Sequence, residues 1–254
     1  MTLARVTGLA LAAALGVGSI PAARAEDAPA DVATQAKALV AEIDAAEKAK
    51  DEQAIATATK RASPLYKATQ DGAIRSSIAK ALGGVVKNAK VGTFARRAAL
   101  AALVETEDGQ TAWKALSSAF PAADSDDPEK FNADVVRSIG LLHPDGAIDP
   151  LLELFQKAKQ SYLSAEAVKA LGNYGKSKHR ERIVLEVVKA GKNMVPSKSK
   201  TQSASAETTA RWGEVSGAIG QALDGITGQK IGDPIEWFKR VDEAKKNLKS
   251  LFKE

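Results

Sequence analysis

Residues 164–175 read SAEAVKALGNYG, and the core of that phrase returns along the chain. A basic residue is followed by a small residue, Leu or Ile, and then Gly: Lys169-Ala170-Leu171-Gly172. The same order stands at Lys80-Ala81-Leu82-Gly83 and at Arg137-Ser138-Ile139-Gly140, and more loosely at Gly217-Ala218-Ile219-Gly220. Repetition of this kind points to one structural unit used several times.

Around each copy the apolar spacing is helical. Val32, Ala36, Leu39, Val40, Ile43 and Ala46 recur at intervals of three or four, which places them on one helix face. A second helix is expected from Asp51 towards Thr69, kinked or ended by Pro64. Further helices are expected over 74–86, 94–104 and 111–120. Val135 to Leu142 ends one helix, His143-Pro144-Asp145-Gly146 is a turn, and Ile148, Leu151, Leu152 and Phe155 mark the inner face of the next. The cycle repeats with Ala165 to Tyr174, a turn at Gly175-Lys176-Ser177, and a helix through Ile183, Val184, Val187 and Val188 that closes at Gly191. Strand-like alternation is hard to find, alanine is abundant and aromatic residues make up only 5% of the chain, which suits close helix–helix contact.

The expected fold class is therefore all-α, an α-solenoid of about four to six stacked antiparallel helix pairs. In such a stack the Leu or Ile of the phrase faces the core between layers. The small residue and the Gly let neighbouring backbones approach, and the Lys or Arg stays wet at the rim. Gly140 and Gly172 lie one repeat apart, but Gly83 to Gly140 and Gly172 to Gly220 are longer intervals. The first holds an extra helix and the linker PAADSDDPEK; the second holds VPSKSKTQSAS.

The runs DVVRSIGLLHPDGAIDPLLELFQKA and AEAVKALGNYGKSKHRERIVLEVVKAG resemble HEAT and HEAT-like repeats, the lyase-type repeats included. Residues 131–191 carry the resemblance best, and 72–107 carry it in part. The closing DGITGQKIGDPIEWFKR resembles the last segment of some secreted HEAT-repeat proteins. The resemblance implies a helical solenoid that acts as a scaffold or adaptor. Relatives of that type also include chromophore lyases and DNA glycosylases.

The first 25 residues read as an export signal. Arg5 gives a positive start, VTGLALAAALGVG is a short apolar stretch, and Ala23-Arg24-Ala25 is a small-residue cleavage site. Residues 26–254 are then the solenoid, with 225–254 as its C-terminal cap, and the protein is expected to be periplasmic or extracellular. No later apolar run is long enough to span a membrane. The chain has no cysteine, which excludes disulfides, thiolate metal sites and a cysteine nucleophile. Its formal net charge of +5 falls by two when Arg5 and Arg24 leave, and the remaining charges are interspersed. Neither export nor that balance favours nucleic acid as the partner.

The chemical candidates each have a plain structural alternative. His143 and His179, the only histidines, fall in turns without a companion motif, so no catalytic residue, metal or cofactor is expected. Asp124-Ser125-Asp126-Asp127 is acidic, but it lacks the Gly and spacing of a calcium loop. Asp127-Pro128 is read as the N-cap and first turn of the next helix. The basic run Lys176, Lys178, Arg180 and Arg182, with Lys189, Lys192, Lys198 and Lys200 beyond it, is the candidate patch for an anionic partner. Its alternative is a solvated turn and helix end. Trp237 is expected to pack the last helix down as a cap, with a partner hot spot as the rival reading. Trp113 and Trp212 are left unassigned.

The leading expectation is an exported, non-catalytic scaffold or adaptor that binds another protein. An enzyme subunit with an unidentified site, and an envelope protein gripping an anionic polymer through the 176–200 patch, are the alternatives.

Overall fold

The computed structural model of the protein describes residues 28–127, 130–196 and 205–252. Eleven α-helices and five short 3-10 turns, joined by loops, lie among these residues, and no strand occurs among them. The stretch 1–25, expected to be an export signal, lies outside the described residues, as do Lys198 and Lys200.

Four aspartates start helices in the way their side chains favour. Asp51 accepts a hydrogen bond from Ala54 N and opens α2, Glu52–Ala68. Asp71 accepts from Ala73 N and opens α3, Gly72–Lys87. Asp108 accepts from Thr111 N and opens α5, Gly109–Leu116. Asp233 accepts from Ile235 N and opens α11, Pro234–Glu243, with Pro234 in its first turn. Each cap meets a backbone N–H that the helix itself leaves without a partner.

The remaining helices are α1, Ala28–Ala49; α4, Thr93–Glu105; α6, Phe131–Leu142; α7, Ile148–Lys157; α8, Ser161–Leu171; α9, Arg180–Met194; and α10, Ala206–Thr227. One row of contacts runs α1 to α3, α3 to α5, α5 to α6, α6 to α8 and α8 to α10. On the other side α2 packs on α4, α7 on α9, and α9 on α11, with α6 meeting α4 where that second row is interrupted. Helices thus pack mainly on close neighbours in the chain.

The recurring phrase sits at the contacts of the first row. Leu82, Ile139, Leu171 and Ile219 are all buried, while Lys80, Arg137 and Lys169 are exposed. A Cβ placed on Gly83 would lie 2.6 Å from Ala115 O of α5, and one on Gly140 would lie 2.6 Å from Ala170 Cβ of α8. One on Gly172 would lie 3.0 Å from Ala222 Cα of α10. Helix axes close enough to exclude a methyl group require these glycines. The long interval between Gly83 and Gly140 is also accounted for, because α5 presents Ala115 to Gly83 much as α8 presents Ala170 to Gly140.

Three local expectations change. Pro64 neither ends nor breaks α2, which runs on to Ala68. Pro64 and Lys60, whose carbonyl loses its N–H partner, are both exposed, so water can meet that carbonyl. Gly191 does not close α9, which continues to Met194; a Cβ there would lie 2.7 Å from Phe238 Cζ, so Gly191 makes room for the Phe238 ring. Asp127 does not begin a helix. Helix α6 starts at Phe131 after Lys130 in the left-handed region, and the Asp127 carboxylate reaches forward to accept from Asn132 N at 2.9 Å. Pro128 and Glu129 lie outside the described residues.

The last segment is tied down by one carboxylate. Asp224 Oδ1 accepts from the Trp237 indole at 2.7 Å, from Ile231 N at 3.0 Å and from Gly232 N at 3.1 Å. Trp237 is fully buried.

Candidate binding surface

Two connected grooves open along the α6–α8–α10 side. The first, about 350 Å³, lies among Arg137, Glu166, Lys169, Asn173 and Gln221. The second, about 680 Å³, lies among His143, Asp145, Asn173, Tyr174, Lys176 and Lys178. They share Gly172, Asn173 and Gly225 and so form one trough.

The first groove is edged by an alternating line of charge. Arg97 of α4 reaches Asp134 of α6 at 2.8 Å, and Asp134 also holds Arg137 at 2.9 Å. Arg137 reaches Glu166 of α8 at 3.3 Å, and Glu166 holds Lys169 at 3.2 Å. The carboxylates lie deeper than the cations. The Glu166 side chain is 15% exposed, against 55% for Arg137 and 45% for Lys169. Solvent therefore meets the basic ends first.

The second groove brings together residues that look unrelated in sequence. His143 ends α6 in the left-handed region, with φ 36°, which turns its ring edge-on to Tyr174 at 6.2 Å. Tyr174 is buried, and its hydroxyl donates to Pro144 O at 3.0 Å. Burial, helped by the nearby Asp145 charge, pushes that phenol well above its ordinary range. Asp145 accepts from Ser177 Oγ at 3.2 Å and lies 3.9 Å from Lys178 Nζ and 4.0 Å from His179 Nε2.

The basic run is not a continuous cationic surface. Lys176 and Lys178 are exposed on the second groove. Arg182 turns away to pair with Asp149 at 2.8 Å. Arg180 packs its guanidinium over the Phe252 ring at 4.4 Å and serves to hold the C-terminal residues. Lys192 is paired with Asp242, and that pairing, with help from Lys245, holds the Asp242 carboxyl below its usual range. Lys189 lines a separate groove of about 510 Å³ with Glu186, Met194, Glu207 and Arg211.

The other candidates have structural partners. Among the described residues no group of three metal-ligating side chains comes together. Ser125 accepts from Asn132 Nδ2, and Asp127 accepts from the Tyr162 hydroxyl at 3.2 Å. Burial, followed by the adjacent Asp127 charge, raises the Tyr162 hydroxyl to about 12. Trp113 stacks edge-on to Phe120 at 5.8 Å and lies on Gly146, whose Cβ would fall 2.7 Å from Trp113 Nε1. Trp212 tilts against Phe238 at 6.4 Å.

Asn173, Gln221 and Glu166 escaped the sequence reading. Two signals for the line of charge are present in the sequence: Asp134 with Arg137 and Glu166 with Lys169, each three residues apart on a helix. Nothing in the sequence signals that Gln221 of α10 would line the same groove as Asn173.

Among the described residues no helix is long and apolar enough to cross a membrane. No protein-family model matches this chain, and no curated protein or solved structure is significantly similar to it.

Proposed function

We propose that this protein is an exported, non-catalytic adaptor, built as a HEAT-like α-solenoid, whose grooved face docks another protein. The observation that carries the reading is the trough across α6, α8 and α10, where cations stand outward on carboxylates that hold them in place. Packing between close neighbours in the chain, with glycines at the layer contacts, supports the solenoid. Residues 1–25 support export.

The test is affinity capture of the C-terminally tagged protein after mild crosslinking in its own cells. One stoichiometric protein partner is the expected result. Recovery of no protein, or only of an anionic polymer, would overturn the adaptor reading.

The polymer reading keeps one specific observation in its favour, the exposed Lys176 and Lys178 on the second groove. Arg180 and Arg182, engaged with Phe252 and Asp149, weaken it.

A further inference from the structure

Resting on the adaptor reading, we propose that the trough receives an extended, acidic segment of the partner protein. Charge favours such a segment. Arg137, Lys169, Lys176 and Lys178 line it against Glu166 and Asp145, with Asp134 shared between Arg137 and Arg97 at its edge, and the Lys178 side chain is 76% exposed where Asp145 is 44%. Carboxylates arriving from solvent meet ammonium and guanidinium groups before they meet like charge. Arg137 and Lys169 are already held by Glu166, so less side-chain freedom is lost when a ligand binds.

Neutral amide side chains lie between the cations. Asn173 and Gln221 each offer an amide donor and an acceptor, the pair of groups that a peptide backbone presents in return. Gly172 and Gly225 meet at the saddle between the grooves, where a Cβ on Gly225 would lie 2.7 Å from Gly172 O, so the floor there is close-packed backbone. An extended chain with its amides unsatisfied fits such a floor.

The same features decide against a uniform polyanion. Glu166 and Asp145 remain in the walls and repel an uninterrupted run of negative charge. A peptide can set neutral residues opposite them.

The test uses the purified protein and two fluorescent probes: a peptide of about a dozen residues alternating Glu and Ser, and inorganic polyphosphate of similar charge. Fluorescence anisotropy at low salt should show the peptide binding more tightly than polyphosphate. The double substitution Lys169→Glu with Lys178→Glu should weaken peptide binding at least about tenfold. Lys60→Glu, on the exposed side of α2, should leave it unchanged. Lys169→Gln with Lys178→Gln replaces the reversal should the latter fail to fold. Absence of peptide binding, an equal loss from Lys60→Glu, or tighter polyphosphate binding would each overturn the proposal. A stoichiometric partner crosslinked away from the trough would leave the adaptor standing and remove this site from it.

Discussion

Gly140 of α6 and Ala170 of α8 meet so closely that a Cβ on Gly140 would lie 2.6 Å from Ala170 Cβ and 2.7 Å from Ala170 Cα. Both residues belong to the recurring phrase, one copy touching the next. Gly140→Ala should force the two helices apart and cost about 1–3 kcal/mol, read as a lower urea midpoint. Adding Ala170→Gly should recover part of the loss, since it removes one of the two clashing methyl groups. Gly213, exposed in α10 with nothing within 4 Å of its Cβ position, is the control. Gly213→Ala should stabilise by about 0.5–1 kcal/mol through helix propensity alone. Equal effects at the two sites would show that packing does not set the glycine pattern.

Asp224 is the second pressure point. Its carboxylate takes the indole N–H of Trp237, a residue with no exposed surface, together with the backbone N–H groups of Ile231 and Gly232. Asp224→Ala leaves those donors without an acceptor and should cost about 2–4 kcal/mol. Hydrogen exchange should rise first in α11. Trp237→Phe, which removes the indole donor but keeps an aromatic ring, should be milder than Asp224→Ala. A reversed order would show that ring packing, not the carboxylate, holds the segment.

Much of this was legible in the sequence and part of it was not, for physical reasons. The buried Leu82, Ile139, Leu171 and Ile219 follow from spacing, because an apolar face must be covered whatever covers it. Trp237 was readable as a packing residue, but its acceptor lies thirteen positions back in another helix. Gly191 looked like a helix end because Gly commonly ends helices; only the Phe238 ring shows why it sits inside one. Arg180 counted towards a basic patch until its contact with Phe252, from the far end of the chain, gave it a different task. Local rules fix helices and faces. The trough is made by residues from helices that meet only once the chain is folded.

Stability should depend on pH through Tyr66 and Asp108. The buried Tyr66 hydroxyl donates to Asp108 Oδ2 at 2.7 Å, joining α2 to the start of α5. Burial opposes the Asp108 charge, but the Thr111 N–H and the Tyr66 and Thr111 hydroxyls outweigh it and hold that carboxyl below its usual range. A carboxyl depressed in the fold contributes stability above its unfolded pKa, and that contribution is lost as pH falls through the folded value. Burial raises Tyr66 to about 12, so the fold favours the protonated phenol and loses that contribution as pH rises from about 10 towards 12. Asp108→Asn, measured by urea unfolding between about pH 5 and pH 2, should flatten the acid limb of the stability curve. An acid limb as steep as that of the unchanged protein would mean that other carboxylates govern it.

Arg180 and Lys178 stand two residues apart, yet the structure gives them different work. Arg180 lies over Phe252 at 4.4 Å and donates to Gly175 O at 3.4 Å, whereas Lys178 is exposed on the trough, 3.9 Å from Asp145. Arg180→Ala should loosen the C-terminal turn Leu248–Leu251, with faster proteolysis there and a stability loss of about 0.5–2 kcal/mol. It should leave acidic-peptide binding within about twofold, because the guanidinium faces the ring and not the groove. Lys178→Gln should do the reverse, weakening the peptide while protease resistance at the C-terminus holds. If both substitutions weakened the peptide equally, the four basic residues 176, 178, 180 and 182 would be acting through net charge, and the division between anchor and docking residue would fail.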